Sequence, residues 1–560
     1  MTESPLSALA AAVWLSRNSL IKPGNCINPA ETELSKGKQR ACTTILVGKN
    51  ASYDGSTIIA RNEDSPRGEF TEKRMIVVKS EDQPTEYKAK ISHLTVDLTP
   101  GKNGLPVPMQ YTAVPDAVNR QGIWGEHGVN EANVAMSETE TLTSNERVLG
   151  ADPLVELKPA KGKPGEEGYE PEVPGGIGEE DFLTLVLPYV RTAREGVLRL
   201  GALLEQFGTY EMNGVAFSDL DEIWWLETVG GHHWIAKRVP DDCYVTMPNQ
   251  LGIDEFDLED ALGERENHMC SADLREFIEE NHLNLAVENV SDLNPRDMFG
   301  SHSDSDHVYN TPRAWYMQRF LNPYDEMWDS PSAPHTPFSD DIPWARQPER
   351  KITIEDVKYV LSSHYQGTKF DPYGNEGDEN TRGSVRCIGV NRNNHLCAIQ
   401  LRPYVPAATC AIQWLAYGSN VFNTLVPVFA NVNDIPQYYR DTTGTVDSNN
   451  FYWANRLIGA LADAQFADNN AHIERYQQKT GSLGVKMIIS TDKKIALLAE
   501  NDKDFADSLE TVENSCVREI LQQANARLAD EIHAETNDVL GKVLYVTSMG
   551  MKNDFHMSDN

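Results

Sequence analysis

Ala41-Cys42-Thr43-Thr44-Ile45-Leu46-Val47-Gly48, followed by Ser56-Thr57-Ile58-Ile59-Ala60-Arg61-Asn62-Glu63-Asp64, decides how this chain is read. Thr43 to Val47 is rich in β-branched residues, Asn50 to Gly55 supplies turn chemistry, and Ser56 to Ala60 resumes the β-branched run. The pattern predicts a hairpin with a thiol at the head of its first strand. Its second strand carries Arg61 and Asp64 back toward Cys42.

Such a thiol has two readings. A strand cysteine is most often an inert, small, buried hydrophobe, and Arg61 with Asp64 would then be an ordinary surface ion pair. Alternatively, cleavage before Cys42 exposes a residue holding both a nucleophilic sulfur and, in its α-amine, a general base of matched proton affinity. Arg61 would then favour the thiolate, and Asp64 would orient the amine or thiol through a hydrogen bond. Asn249 and backbone amides are suited to receive the oxyanion of a tetrahedral intermediate.

Around this hairpin the chain is acidic. Lys and Arg total 50 against 84 Asp and Glu, a net charge of −34, so a nucleic acid would meet a repulsive average field. Eight cysteines are scattered with no CxxC pair, which indicates neither a zinc ribbon nor a disulfide scaffold and fits a reducing, cytoplasmic setting. The apolar run Leu6 to Leu15 is too short to span a membrane and lacks a basic flank, so it reads as a non-secretory leader. Gly-rich phosphate loops are absent, so no nucleotide cofactor is implied.

Residues 1–41 read as a leader or propeptide, 42–430 as a catalytic core, and 431–560 as a mainly helical part of the same unit. Strands and helices arrive in blocks, which favours an α+β fold of stacked sheets flanked by helices over a doubly wound parallel sheet. Helices are predicted within Phe182 to Phe207, Phe451 to Gln478 and Asp504 to Val543, and an exposed loop over 156–178. His232-His233 suggests a metal site, yet neighbours on a strand face opposite ways and no metal is expected. Ser301 to His307 has oxygen and imidazole groups at ligand-like intervals but lacks the glycine and terminal Glu of a calcium loop, and it reads as a polar loop near the site.

Cys42 to Lys49, Ala51 to Thr57 and Ala60 to Ser65 resemble the opening of the bacterial dipeptidase A family, cysteine peptidases of the N-terminal nucleophile hydrolase superfamily. The likeness continues through Gly128 to Glu131, Ala135 to Glu140, Gly208 to Gly214, Pro248 to Ile253, Tyr309 to Trp315 and Gln413 to Asn423. It implies a four-layer αββα sandwich, removal of the leader, and hydrolysis of dipeptides through an acyl-cysteine. By the same likeness Cys42, Arg61, Asp64 and Asn249 are the catalytic candidates and Arg313 a more distant active-site arginine. Glu140, where some acylase relatives carry asparagine, is placed to contact a substrate amine. An amidase acting on N-acyl substrates, like the choloylglycine and penicillin V acylases, and a non-catalytic binding protein of the same fold are the alternatives. Small peptides are the expected partners, with no nucleic acid, membrane or cofactor, and a homo-oligomer is expected.

Overall fold

A computed structural model describes residues 41–552 apart from 67, 68, 70, 119, 121, 288–292 and 513, and apart from the side chains of 139 and 140. Residues 1–40 of the expected leader lie outside the described residues.

The predicted hairpin forms, as β1 (Ala41–Val47) and β2 (Thr57–Asp64). Eleven further strands complete two sheets: β3 (His127–Val129), β4 (Ala135–Thr141), β5 (Asn213–Ser218), β6 (Ile223–Val229), β7 (His233–Arg238), β8 (Tyr244–Met247), β9 (His268–Cys270), β10 (Ala345–Arg346), β11 (Asn393–Leu401), β12 (Ala411–Tyr417) and β13 (Val426–Phe429). The first sheet runs β10-β8-β1-β2-β11-β12-β13 and the second β9-β7-β6-β5-β4-β3, every neighbouring pair antiparallel. The main helices are α1 (Phe182–Val186), α2 (Ala193–Phe207), α3 (Thr311–Leu321), α4 (Ile354–Leu361), α5 (Phe451–Ala462), α6 (Phe466–Asn501) and α7 (Ser515–Met549).

Strand alternation assigns each side chain to one of three apolar clusters. Ile45, Val47, Ile58 and Ala60 pack with Val357 and Val360 of α4, Tyr452 of α5, Ile495 of α6 and Leu521 of α7. Leu46 and Ile59, on the other face of the same two strands, join Ala216, Trp225 and Ile235 of the second sheet. Val215, Phe217, Trp224 and Leu226 then pack on Phe182 of α1 and Val197, Leu200 and Leu204 of α2. The adjacent tryptophans Trp224 and Trp225 therefore belong to different clusters, because successive strand residues face opposite ways. Burying one such side chain contributes roughly 1.5–3 kcal/mol. A one-residue slip of β1 would exchange its two faces, and this packing fixes the face on which Cys42 sits.

Local signals set the ends of the helices. Thr353 and Asp356 form a capping box at the start of α4, and the Asn450 carboxamide accepts from the Tyr452 and Trp453 amides at the start of α5. The edge of β13 is closed by α7, whose Asn525 side chain accepts from the Phe429 amide and donates to its carbonyl. Pairing an edge strand in this way removes a template for aggregation. The predicted helices are present with changed bounds: the run from Phe451 continues through α5 and α6 to Asn501 with only the turn Asp463–Gln465 between them, whereas the run from Asp504 is broken before α7 begins at Ser515. Among the described residues no helix is long and apolar enough to cross a membrane.

Candidate active site

Cys42 is the second residue of β1 and fully buried. The register sets Ala41 opposite Asp64, Cys42 opposite Glu63 and Thr44 opposite Arg61. Paired residues share a face, so Cys42, Thr44, Arg61 and Glu63 point the same way, while Asp64 follows on the face of Ala41. Arg61 donates from Nη1 to the Cys42 Sγ at 2.8 Å. Its Nη2 pairs with Glu126, and Glu179 Oε1 lies 3.5 Å from Nη1.

Behind the arginine lies a buried charged network. Lys73 Nζ contacts Glu126 at 2.8 Å, Asp116 at 2.7 Å and Glu63 at 3.1 Å. Glu63 meets His395 Nδ1 at 2.9 Å, and His395 Nε2 lies 3.2 Å from His127 Nδ1. Burial, then Arg61 and His395, push His127 well below the usual imidazole range, and burial lowers His395 against the opposing pull of Glu63. Both rings are therefore neutral near pH 7. Glu63, Glu126 and His395 bring ligand atoms within 4.8 Å of one another, as a metal site would. The Lys73 ammonium bonds two of the three, so an internal cation meets the charge that a metal would otherwise neutralise. Next to them, burial and then the charges of Glu126 and Glu179 raise the Glu138 carboxyl well above its ordinary value, favouring its protonated form.

Arg313, on α3, reaches the backbone of Cys42. Its Nη1 donates to the Cys42 carbonyl and, at 2.7 Å, to Thr43 Oγ1; Nη2 donates to Asn249 Oδ1 at 2.8 Å and Asn310 Oδ1 at 2.7 Å. Asn249 in turn donates from Nδ2 to the Thr141 carbonyl at 3.0 Å. A carboxamide nitrogen carries two hydrogens, so this bond leaves Asn249 capacity for a second acceptor. Thus Arg61, Arg313 and Asn249 are gathered around Cys42 by β2, α3 and the turn after β8.

The sequence of this region matches the description of peptidase family C69 over residues 41–479. The chain belongs to peptidase family C69. A dipeptidase from Bifidobacterium longum is 66% identical over 543 residues, 93% of this chain and 100% of the relative. A probable dipeptidase A from Streptococcus pyogenes serotype M3 is 50% identical over 519 residues, 93% and 100% of the two chains. Dipeptidase A of Lactobacillus helveticus is 41% identical over 507 residues, 90% and 97%.

In this C69 peptidase Asp64 does not point to the thiol as the hairpin alone suggested. Its carboxylate pairs with Arg386 and accepts from Asn393 Nδ2, because it follows Glu63 onto the other face of β2. Nor do Arg61 and Asp64 form a surface pair; both are fully buried with other partners. Glu140 lies on β4 opposite Gly214, and its side chain is outside the described residues.

His232 and His233 also depart from expectation. His232 lies in the turn before β7, not on the strand, so both Nδ1 atoms reach Asp152, at 2.9 and 2.7 Å. Burial would raise the Asp152 carboxyl, but the two imidazole bonds outweigh it and hold the group at about 2. In the polar loop after residue 300, Asp306 Oδ2 accepts from Ser301 Oγ, Ser303 N and Ser303 Oγ. Its Oδ1 accepts from Asn310 Nδ2 at 2.6 Å, which orients Asn310 toward Arg313. Sequence reading missed Lys73, Glu126, Glu179, Tyr309 and Asn310. Nothing in a linear pattern separates a buried charged residue from an exposed one; only the short stretch Trp124-Gly125-Glu126-His127, with two ionisable residues entering β3, hints at it.

Proposed function

We propose that this C69 peptidase is a dipeptidase whose nucleophile is Cys42, exposed by cleavage of the Ala41–Cys42 bond. The guanidinium of Arg61 at 2.8 Å from Sγ carries this reading, since a cation at the sulfur favours the thiolate. The names of relatives matched from end to end supply the substrate class.

Hydrolysis of the Ala41–Cys42 bond consumes one water and leaves an α-amine on Cys42. Sγ then attacks the peptide carbonyl carbon while its proton passes to that amine. Asn249 Nδ2 donates to the oxyanion. Collapse breaks the C–N bond, the amine returns the proton to the departing amino acid, and a thioester remains. Water, deprotonated by the same amine, releases the second amino acid and restores the thiol. In this reading the Asp64 carboxylate, on the residue paired with Ala41, holds the cationic form of the new N-terminus, and Glu140 meets the substrate ammonium.

The three apolar clusters support a four-layer αββα sandwich of the N-terminal nucleophile hydrolase type, with 1–41 as its propeptide and 431–560 as helices packed on the 42–430 core. Mass analysis of the purified N-terminus, combined with dipeptide hydrolysis by wild type and Cys42→Ala, tests the proposal. A mature chain starting at Cys42 and a dead variant are expected. Full activity in an intact 560-residue chain would sink it.

A further inference from the structure

Three guanidiniums converge on the Tyr309 side chain, and one of them also bonds the Cys42 backbone. Arg386 lies 4.9 Å and Arg313 5.1 Å from the Tyr309 ring centroid, and Arg392 donates from Nη2 to the Tyr309 hydroxyl at 2.6 Å. Arg313 is the link to the nucleophile, because the same side chain donates to the Cys42 carbonyl. Arg386 pairs with Asp64. Arg392 gives its other nitrogen to the Ser65 carbonyl at 2.8 Å and has no carboxylate partner among the described residues. Arg313 is fully buried and Tyr309, Arg386 and Arg392 are partly so; they come from the short helix Asp306–Tyr309, from α3 and from the loop that leads into β11.

A buried phenol is ordinarily pushed up by the loss of water. Burial does act so on Tyr309, yet Arg386, Arg313 and Arg392 together outweigh it and lower the group, with Asp64 opposing them. The local potential is thus positive enough to favour an anion in a place where anions are usually penalised. Around the thiol, by contrast, the carboxylates Glu63, Glu126 and Glu179 gather on Arg61 and Lys73.

We infer that Arg392 and Arg386, presented by Tyr309, bind the free α-carboxylate of the departing amino acid. This rests on the dipeptidase reading and adds how length is read. In a dipeptide the carboxylate carbon is three bonds, within about 4 Å, of the scissile carbonyl carbon, so only cations beside the nucleophile can engage it. Each further residue moves the carboxylate away by up to about 3.3–3.6 Å. A fixed arginine pair next to Cys42 therefore selects the shortest peptide, whichever side chains it carries. Guanidinium suits the task because its planar fork matches a carboxylate through two parallel bonds.

The test compares a dipeptide, its C-terminal amide and the tripeptide extended by one residue, with mature wild type, Arg392→Gln and Arg392→Lys. Wild type should prefer the free acid to the amide by about 10- to 100-fold in kcat/KM, the range of one charge-assisted hydrogen bond. In Arg392→Gln that acid-to-amide ratio should fall by about tenfold or more, chiefly through KM for the acid, and Arg392→Lys should keep an intermediate ratio. Equal wild-type rates on acid and amide, or a variant that slows both in proportion, would overturn the subsite while leaving the dipeptidase reading intact. A wild-type enzyme that cleaves no dipeptide would overturn both.

Discussion

Arg61 holds the Cys42 sulfur with one guanidinium nitrogen and the Glu126 carboxylate with the other. Glu126 itself is fixed from behind by Lys73, and Lys73 by Asp116 and Glu63. The thiol is thus positioned by a line of side chains in which every member is buried and every bond is charge-assisted, the stronger class of hydrogen bond.

Glu126→Gln should loosen Arg61 without removing it. A charge-assisted bond is worth about 1.5–3 kcal/mol, so kcat/KM on a dipeptide should fall about 10- to 100-fold. Alkylation of Cys42 by iodoacetamide at neutral pH should slow in parallel, whereas a simple loss of stability would speed it by exposing the buried thiol. Unchanged alkylation kinetics would show that Arg61 keeps its place without Glu126.

Removing Lys73 exposes the opposite weakness, since Glu63, Asp116 and Glu126 would be left as buried like charges. Breaking a buried ionic group by deleting one partner costs about 3–5 kcal/mol, so Lys73→Ala should melt well below wild type. Because Glu63, Glu126 and His395 already converge, added zinc should raise the melting temperature of the variant and leave wild type in place. A variant as stable as wild type would contradict this account.

How far the sequence reached follows from what each signal encodes. β-branched runs and a turn gave the hairpin, and with it the approach of Arg61 to Cys42. The same pattern did not resolve Asp64, because Glu63 and Asp64 differ by one residue yet face opposite sides of the strand. It also placed His232 on a strand that begins one residue later, which reversed the expected divergence of the two imidazoles. Lys73 and Glu126 stayed invisible because their burial comes from contacts between segments over 50 residues apart. Charge identity is local information, whereas desolvation is not.

Asn249 offers a test of oxyanion stabilisation apart from the nucleophile. Asn249→Ala removes the Nδ2 donor but leaves Arg313 bonded to Cys42, Thr43 and Asn310. Losing one oxyanion donor typically lowers kcat by about 10²–10³-fold, and KM should change only a few-fold because the bond forms in the transition state. A kcat within threefold of wild type would move the oxyanion role elsewhere.

Glu227 sets a pH dependence of stability away from the nucleophile. Its Oε1 accepts from Gly252 N at 2.7 Å, Trp225 Nε1 at 3.0 Å and Ile253 N at 3.3 Å within the cluster between the sheets. Burial outweighs these bonds and raises the carboxyl from 4.5 to about 7. A carboxyl with a folded-state value above its unfolded one supports the fold fully at low pH, and that support is lost as pH rises from about 4.5 to about 7. Each tenfold difference in proton affinity between the folded and unfolded chain corresponds to about 1.4 kcal/mol, so wild type should lose on the order of 3 kcal/mol relative to Glu227→Gln across this window. The amide does not titrate, so the comparison cancels whatever fixed cost the substitution brings. Denaturation midpoints of both proteins at pH 5, 8 and 9 should diverge between the first two and run parallel between the last two; parallel behaviour throughout would mean that Glu227 stays ionised in the fold.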